Sequence, residues 1–111
     1  MGNRTIQERN HMLDRISLNG KRFSLKRETD QAGDYGSILI SQDKNRHPVG
    51  ENGEIIVGYY LECGSPFPRS FSTQDYWLTT EVQEIHPIDK KKVRIKTKNS
   101  WYIVESYELE D

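Results

Sequence analysis

The chain has 111 residues, of which 33% are hydrophobic and 30% are charged, and its net charge is −1. This length suits one small domain, and the balanced charge argues against disorder, which low hydrophobicity favours only together with high net charge. No apolar run reaches membrane-spanning length, no signal-peptide pattern opens the chain, and Cys63 alone cannot form an intramolecular disulfide. We therefore expect a cytoplasmic protein without a membrane partner, whose oligomeric state the composition leaves open.

The first twenty residues have the pattern of a helix. Thr5 and Glu8 have the spacing of a capping box, and Gly20 suits a helix end because glycine tolerates the left-handed conformation. Three apolar residues fall near one face of this helix: Ile6, Leu13 and Ile16. We predict a helix over residues 5–17 within an N-terminal unit, residues 1–20. A helix this short frays or moves unless it docks on a surface.

After Gly20 the apolar residues alternate with polar ones, which is the period of a β-strand. The segment 67–71 is predicted as an edge or a loop, since Pro66 and Pro68 interrupt it. We predict a single, mainly β domain over residues 21–111, a small antiparallel barrel or sandwich of about six strands. The strands are predicted near residues 23–25, 35–41, 54–62, 76–85, 93–97 and 100–107.

The turns and the alternation also predict a register and a core. Asn52-Gly53 is predicted as a hairpin turn, and Lys98-Asn99 as a two-residue turn in which Asn99 takes a positive φ. The strand over residues 76–85 is predicted to carry a bulge, because Ile85 falls out of step with Val82. The predicted core consists of Val57, Tyr59, Leu61, Leu78, Val82, Val93, Ile95, Tyr102 and Val104.

A basic segment precedes a Trp-Tyr pair near the end of the chain. Val93, Ile95 and Thr97 are predicted to face the core, so that the residues between them form a cationic outer face. The bases of the segment are Lys90, Lys91, Lys92, Arg94, Lys96 and Lys98. Acidic residues follow on the paired strand, Glu105 first, and these neutralise much of the charge. The segment is therefore a nucleic-acid site, a surface that steers a protein partner, or an ordinary solvated face.

Side chains that could perform catalysis or bind a metal occur singly. His11, His47 and His86 fall in different predicted elements and lack partners at the spacing of a known zinc motif. Cys63 is predicted to be a small, partly buried residue rather than a reactive thiol. The sequence has neither a glycine-rich phosphate loop nor a nucleophile elbow. We expect a protein that is not an enzyme and needs no metal or cofactor.

The last third of the chain carries a recognisable pattern. Residues 80–85 read T-x-V-x-x-I, an alternating strand follows, and residues 97–102 read T-x-N-S-x-Y. In these positions the chain resembles a loosely defined group of short bacterial, phage and plasmid β proteins, to which no catalytic residues are assigned. The resemblance implies a phage or mobile-element origin. Small phage proteins of this size often inhibit host machinery by binding it, so it also implies a host-defence inhibitor.

The expected function is protein binding, as an interaction module or an inhibitor of a host bacterial complex. The separation of basic from acidic stretches supports steering toward a partner, because residues 49–88 contain six acids and only one base, Arg69. The alternative is a small nucleic-acid-binding β-barrel that uses the basic hairpin, residues 90–98. The candidate partner-binding residues are Lys92, Arg94, Lys96, Lys98, Trp101, Trp77, Tyr76 and Arg69.

Overall fold

The computed structural model describes residues 13–65 and 76–108, and the described residues form strands and no helix. The prediction of a mainly β fold is confirmed. The described strands are β1 (Arg15–Ser17), β2 (Arg22–Arg27), β3 (Gly33–Gly36), β4 (Ile38–Gln42), β5 (Pro48–Val49), β6 (Glu54–Ile56), β7 (Tyr60–Gly64), β8 (Tyr76–Asp89), β9 (Lys92–Thr97) and β10 (Trp101–Tyr107).

The predicted N-terminal helix is wrong over its described part. Residues 15–17 form β1, which pairs antiparallel with β6. Along this segment exposed and covered residues alternate: Arg15 and Ser17 are exposed, Ile16 is half-buried and Leu18 is buried. An alternation with a period of two is typical of a strand. Pairing with β6 provides hydrogen-bond partners for the backbone N–H and C=O groups that a helix would have bonded internally. Residues 5–12 of the predicted helix lie outside the described residues.

One antiparallel sheet of eight strands makes up most of the fold, in the order β3-β2-β10-β9-β8-β7-β4-β5. The long strand β8 bends, pairing with β7 through its first half and with β9 through its second half. A register shift between Val82 and Glu84 marks the bend and confirms the predicted bulge. The bulge lets one strand serve two parts of the curled sheet.

The curled sheet does not close into a barrel within the described residues, because β3 and β5 remain its edges. Of the two predicted architectures, barrel and sandwich, the closed barrel is therefore wrong. The two ends still come close, since β3 runs through Ser37 directly into β4, which pairs with β7. At this bend a Cβ on Gly36 would lie 2.0 Å from the Gly64 carbonyl oxygen, so the approach of the two backbones requires glycine. A second sheet contains only β1 and β6.

The described residues form ten strands rather than about six, because two predicted strands are broken and the short strands β1 and β5 were not predicted. The 35–41 strand divides at Ser37, and the 54–62 strand divides at Gly58, whose φ of 98° makes a turn. Asn52-Gly53 also forms a turn, in which the Glu54 amide donates to the Glu51 carbonyl at 3.0 Å. The hairpin predicted there is wrong, since the strands on either side pair elsewhere, β5 with β4 and β6 with β1.

The core lies inside the curl of the large sheet. Six predicted core residues are buried: Leu61, Val82, Val93, Ile95, Tyr102 and Val104. Three others are only half-buried: Val57, Tyr59 and Leu78. Val57 and Tyr59 flank the Gly58 turn, and Leu78 lies across from Glu62 on the outer side of the sheet. Before the bulge, the inward-facing residues of β8 are therefore shifted by one position from the prediction.

Candidate functional site

The strand β9 divides its side chains between the core and an outer face. Val93, Ile95 and Thr97 are fully buried, as predicted, and the residues between them are partly exposed. The two-residue turn at Lys98-Asn99 is confirmed by the Thr97 amide, which donates to the Ser100 carbonyl at 2.8 Å. Asn99 does not take the predicted positive φ. The hairpin nevertheless sets Trp101 directly opposite Lys96, beside the basic row.

Trp101 and Arg94 form the centre of this outer face. The Arg94 guanidinium carbon lies 3.8 Å from the centroid of the Trp101 ring, which is a close cation–π contact. Two nitrogens of the same guanidinium donate to the Glu28 carboxylate, Nε at 2.6 Å and Nη2 at 3.0 Å. The Glu28 amide in turn donates to the Trp101 carbonyl at 2.9 Å. The bidentate pair therefore fixes the Arg94 side chain over the Trp101 ring.

The electrostatics of this pair agree with its geometry. Hydrogen bonding from Arg94 lowers the pKa of Glu28 below its ordinary value, and the same bond raises the pKa of Arg94. The side chains remain 42% and 31% exposed for Arg94 and Glu28, so solvent screens much of their attraction. The pair thus holds a side chain in place rather than supplying a large share of stability.

Two further residues complete the surroundings of Trp101. The His86 ring lies 5.8 Å from the Trp101 ring, and its Nε2 is 2.9 Å from the Glu84 carboxylate. The Lys96 ammonium lies 5.9 Å from the Trp101 centroid. The pairing of β8 with β9 places His86 beside Arg94 and Glu84 beside Lys96. We call this surface the hairpin face; it comprises Lys26, Glu28, Glu84, His86, Lys92, Arg94, Lys96, Trp101, Ile103 and Glu105.

The bases of the hairpin are not equivalent. Arg94 is paired with Glu28, and the Lys91 ammonium lies 2.6 Å from the Glu108 carboxylate. Within the described part of the chain, four lysines have no carboxylate within ion-pair distance: Lys90, Lys92, Lys96 and Lys98. Acids still interrupt the row, because Glu84 lies across from Lys96 and Glu105 across from Lys92. The face is a mixture of charges around an aromatic centre, not a continuous basic stripe.

The hairpin face continues onto β2 as a shallow hollow of about 270 Å³. Its edge is firm, since the Tyr107 ring meets the Tyr35 ring edge-on at 5.7 Å and the Tyr107 hydroxyl lies 3.1 Å from Ser24 Oγ. The hollow is lined by Ser24, Lys26, Gln31, Ile103, Glu105 and Tyr107. Ile103 and Tyr107 extend the apolar and aromatic part of the hairpin face toward β3.

Trp77 lies elsewhere, on the inner side of the sheet. It packs against the core across from Cys63, and its indole Nε1 donates to the Tyr102 hydroxyl at 3.2 Å. The Arg27 guanidinium lies 5.1 Å from its ring and forms a bidentate pair with Asp30. Trp77 is therefore held within the fold, and the structure does not bring it together with Trp101.

The remaining predicted partner-binding residues fall into three places. Lys92, Arg94, Lys96 and Trp101 lie on the hairpin face, and Lys98 is exposed at its turn. Tyr76 is the first residue of β8 and lies across from Gly64 on β7, away from the hairpin face. The Arg46 guanidinium lies 5.3 Å from the Tyr76 ring. Arg69 lies outside the described residues. Sequence reasoning missed Glu28 and His86, and no local signal could have found Glu28, which is 66 residues from Arg94.

Groups with intrinsic reactivity are kept apart. Burial raises the pKa of the Cys63 thiol to about 12, and its Sγ lies 3.6 Å from the Phe23 carbonyl. His47 approaches Asp43 and His86 approaches Glu84, in separate parts of the fold. Among residues 13–65 and 76–108, no three His, Cys, Asp or Glu side chains cluster as a metal site. No helix within these ranges is both long and apolar enough to cross a membrane.

Searches of protein-family models, of curated proteins and of solved structures find no match to this chain. The resemblance of residues 80–85 and 97–102 to short phage and plasmid proteins therefore stays a prediction.

Proposed function

We propose that this chain is a small cytoplasmic, non-enzymatic protein-interaction module that binds a partner protein through the hairpin face. The observation that carries the proposal is the Trp101–Arg94 stack, which Glu28 locks in place on a partly exposed sheet surface. Tryptophan and arginine are the residue types that most often supply the binding energy of protein interfaces. Here they stand next to each other at the centre of a face.

Preorganisation is the second support. A long side chain such as arginine loses rotamer freedom on binding, at a cost of about 0.5–1.5 kcal/mol for each immobilised side chain. The bidentate bond to Glu28 has already removed most of that freedom in Arg94. A partner that packs on Trp101 therefore meets a surface that needs little ordering.

The charges around the centre favour an acidic partner. Lys92, Lys96 and Lys98 have no carboxylate within ion-pair distance among the described residues, and Lys96 lies directly across from Trp101. Charges at the rim of an interface mainly accelerate association, whereas the desolvated centre sets the lifetime of the complex. We infer that the lysines steer the partner and that Trp101 and Arg94 retain it.

The biological role we propose follows the resemblance of the last third of the chain. A phage or mobile-element protein of this size that binds through one face would act by occupying a surface of a host bacterial complex. This role is inferred from the sequence resemblance alone, whereas the binding face is inferred from the geometry of the hairpin.

A nucleic-acid site on the same hairpin is the second candidate. The observation in its favour is that Lys90, Lys92, Lys96 and Lys98 are all unpaired within the described chain, and Trp101 could stack on a base. Against it, Glu84 and Glu105 lie directly across from Lys96 and Lys92 and repel phosphates. The pI of about 6.3 also disfavours nucleic-acid binding.

Affinity capture from bacterial lysate, with and without nuclease, tests the proposal. Protein binding predicts the same captured protein in both samples and its loss with Trp101→Ala. Tyr76→Ala is the matched control, because Tyr76 is an aromatic residue away from the hairpin face. Capture that disappears with nuclease would instead support the nucleic-acid site. Neutralising about three phosphates would then give a log–log salt slope of roughly −2 to −3, which Lys92→Gln, Arg94→Gln and Lys96→Gln together would flatten.

A further inference from the structure

A second hollow lies beside strands β7 and β8 and shares no residue with the hairpin face. Its volume is about 360 Å³, within the range of small ligand sites. Tyr60 and Glu81 are cross-strand partners on β7 and β8, so their side chains share the outer side of the sheet. The hollow is lined by Asp43, Lys44, Gly58, Tyr59, Tyr60 and Glu81, and we call it the Tyr59–Tyr60 hollow.

The backbone around the hollow departs from regular strand geometry. Gly58 has a φ of 98°, and its amide donates to the Val82 carbonyl at 2.8 Å. The Val82 amide donates back to the Tyr59 carbonyl at 2.9 Å, which holds the turn against β8. A register shift follows at once, between Tyr60 and Glu62. Bulges of this kind re-aim side chains and are frequent beside binding sites.

Space is left open where the turn meets the hollow. A Cβ built on Gly58 would meet no heavy atom within 4 Å. Gly58 is therefore needed for the positive φ of the turn and not for a close approach of another part of the chain. The surface at Gly58 is therefore uncovered, and the two residues that follow it, Tyr59 and Tyr60, are half-buried.

Most polar side chains of the hollow lack a hydrogen-bond partner among the described residues. Among the described residues, nothing hydrogen-bonds the Glu81 carboxylate or the hydroxyls of Tyr59 and Tyr60. The Asp43 carboxylate differs, because it accepts hydrogen bonds from the His47 amide at 2.9 Å and the Asn45 amide at 2.8 Å. These bonds lower the pKa of Asp43 below its ordinary value, so it is charged at neutral pH.

The charge of the lining is negative at neutral pH, with carboxylates on Asp43 and Glu81 against the one ammonium of Lys44. Lys98 lies nearby, since its amide donates to the Glu81 carbonyl at 2.9 Å, but within the described chain its ammonium forms no ion pair with Glu81. Carboxylates beside tyrosine rings suit a cation, which the ring faces attract through their quadrupole. We propose that the Tyr59–Tyr60 hollow binds an organic cation, the guanidinium or ammonium group of an arginine or lysine.

The division of roles follows from the geometry. Glu81 supplies a charge that is unpaired among the described residues, and Tyr59 and Tyr60 supply the aromatic part of the lining. Asp43 adds negative charge from a loop that its own hydrogen bonds hold rigid. This site does not depend on the hairpin face, so either can exist without the other.

Backbone amide NMR with N-acetyl-L-arginine amide as the probe tests this inference. We expect saturable shifts at Gly58, Tyr59, Tyr60 and Glu81, and none at Arg94 or Ile103. The neutral analogue N-acetyl-L-citrulline amide has nearly the same shape and should cause no saturable shift. Equal shifts with the two probes, or no saturable shift with the arginine probe, would overturn the proposal.

Two variants assign the roles. Glu81→Gln keeps the shape of the side chain and should weaken the arginine probe about fivefold, the upper end of an exposed ion-pair effect. Glu105→Gln removes a charge from the hairpin face and should leave the affinity unchanged. If Glu81→Gln binds the probe as the wild type does, the cation site is not there. Repeating the titration with a Gly-Arg-Gly peptide distinguishes the source: tighter binding than the free probe indicates a protein side chain, equal binding a small free cation.

Discussion

The two tryptophans of this chain have the same kind of neighbour but lie on opposite sides of the sheet. Each lies under an arginine that a carboxylate holds by two hydrogen bonds, Arg27–Asp30 at Trp77 and Arg94–Glu28 at Trp101. Trp77 faces inward and satisfies its indole nitrogen with the Tyr102 hydroxyl. Trp101 faces outward on the hairpin face.

The comparison shows that an arginine–tryptophan stack is not itself a sign of function. At Trp77 the stack covers one end of the core, and its free energy contributes to folding. At Trp101 the same arrangement stands on the surface of the sheet, where its contribution to folding is small and its ring remains available. The side of the sheet decides the role, and one residue of register decides the side.

The largest effect that separates the two tryptophans is on stability. Trp77→Ala leaves a gap against the core and should lower the free energy of unfolding by about 3 kcal/mol. Trp101→Ala removes mainly a surface cation–π contact and should cost about 1 kcal/mol or less. Urea unfolding followed by circular dichroism measures both. A larger loss for Trp101→Ala than for Trp77→Ala would break the comparison.

The next effect is on affinity for the captured partner. Trp101→Ala should weaken binding by about 2 kcal/mol, or roughly thirtyfold, as expected for a central anchor residue. Tyr76→Ala, away from this face, should change the dissociation constant less than about threefold. Isothermal titration at fixed salt measures these constants, and equal losses in the two variants would remove Trp101 from the interface.

Exchanging each arginine for lysine sharpens the comparison. Lysine keeps the charge but loses the planar, two-point bond to a carboxylate. Arg94→Lys should therefore reduce partner affinity by about fivefold, because the side chain over Trp101 is no longer preorganised. Arg27→Lys is the matched control, which should leave the affinity unchanged. An affinity loss in Arg27→Lys of the same size would show that the effect comes from global destabilisation.

Acid should loosen the inner stack within a defined range of pH. Hydrogen bonding from Arg27 lowers the pKa of Asp30 from 3.8 to about 2. Because the folded pKa is the lower one, the stabilisation is present above pH 3.8 and is lost as the pH falls toward 2. Asp30→Asn should flatten the pH dependence of unfolding in this range. An unchanged pH profile in the variant would exclude Asp30 as its source.

The smallest expected effect is on the chemical labelling of Cys63, which should be very slow in the folded protein. Cys63 is buried across from Trp77, and its thiol pKa is raised to about 12, so a thiol reagent at pH 8 should label the folded protein very slowly. Trp77→Ala should speed labelling by opening that end of the core, and Trp101→Ala should not. Rapid labelling of the wild type would show that the inner end of the sheet opens readily.

The sequence predicted the parts of the fold that depend on local patterns. The alternation of Val93, Ile95 and Thr97, the turn at Lys98-Asn99 and the bulge near Ile85 all came from short-range rules, and the structure confirms them. The helix over residues 5–17 is wrong where it is described, because β1 pairs with β6, and no local pattern reveals a partner strand about 40 positions away. Local propensity is a weak guide where tertiary pairing is available.

The candidate site was predictable only in part for the same reason. The alternation in β9 placed Arg94 and Lys96 on an outer face, but Glu28 comes from the end of β2 and its role depends on how β2 pairs with β10. Trp77 and Trp101 look alike in the sequence, as aromatic residues at the start of strands. The curl of the sheet, which no short pattern encodes, separates them.

The indole NMR signals of the two tryptophans test the central claim most directly. The chain contains only Trp77 and Trp101, so an amide correlation spectrum shows two indole N–H resonances, which Trp101→Ala assigns. On titration with the captured partner protein, the Trp101 resonance should shift or broaden and the Trp77 resonance should stay in place. A shift confined to Trp77, or no shift of either resonance while the complex forms, would contradict the claim that the hairpin face binds the partner.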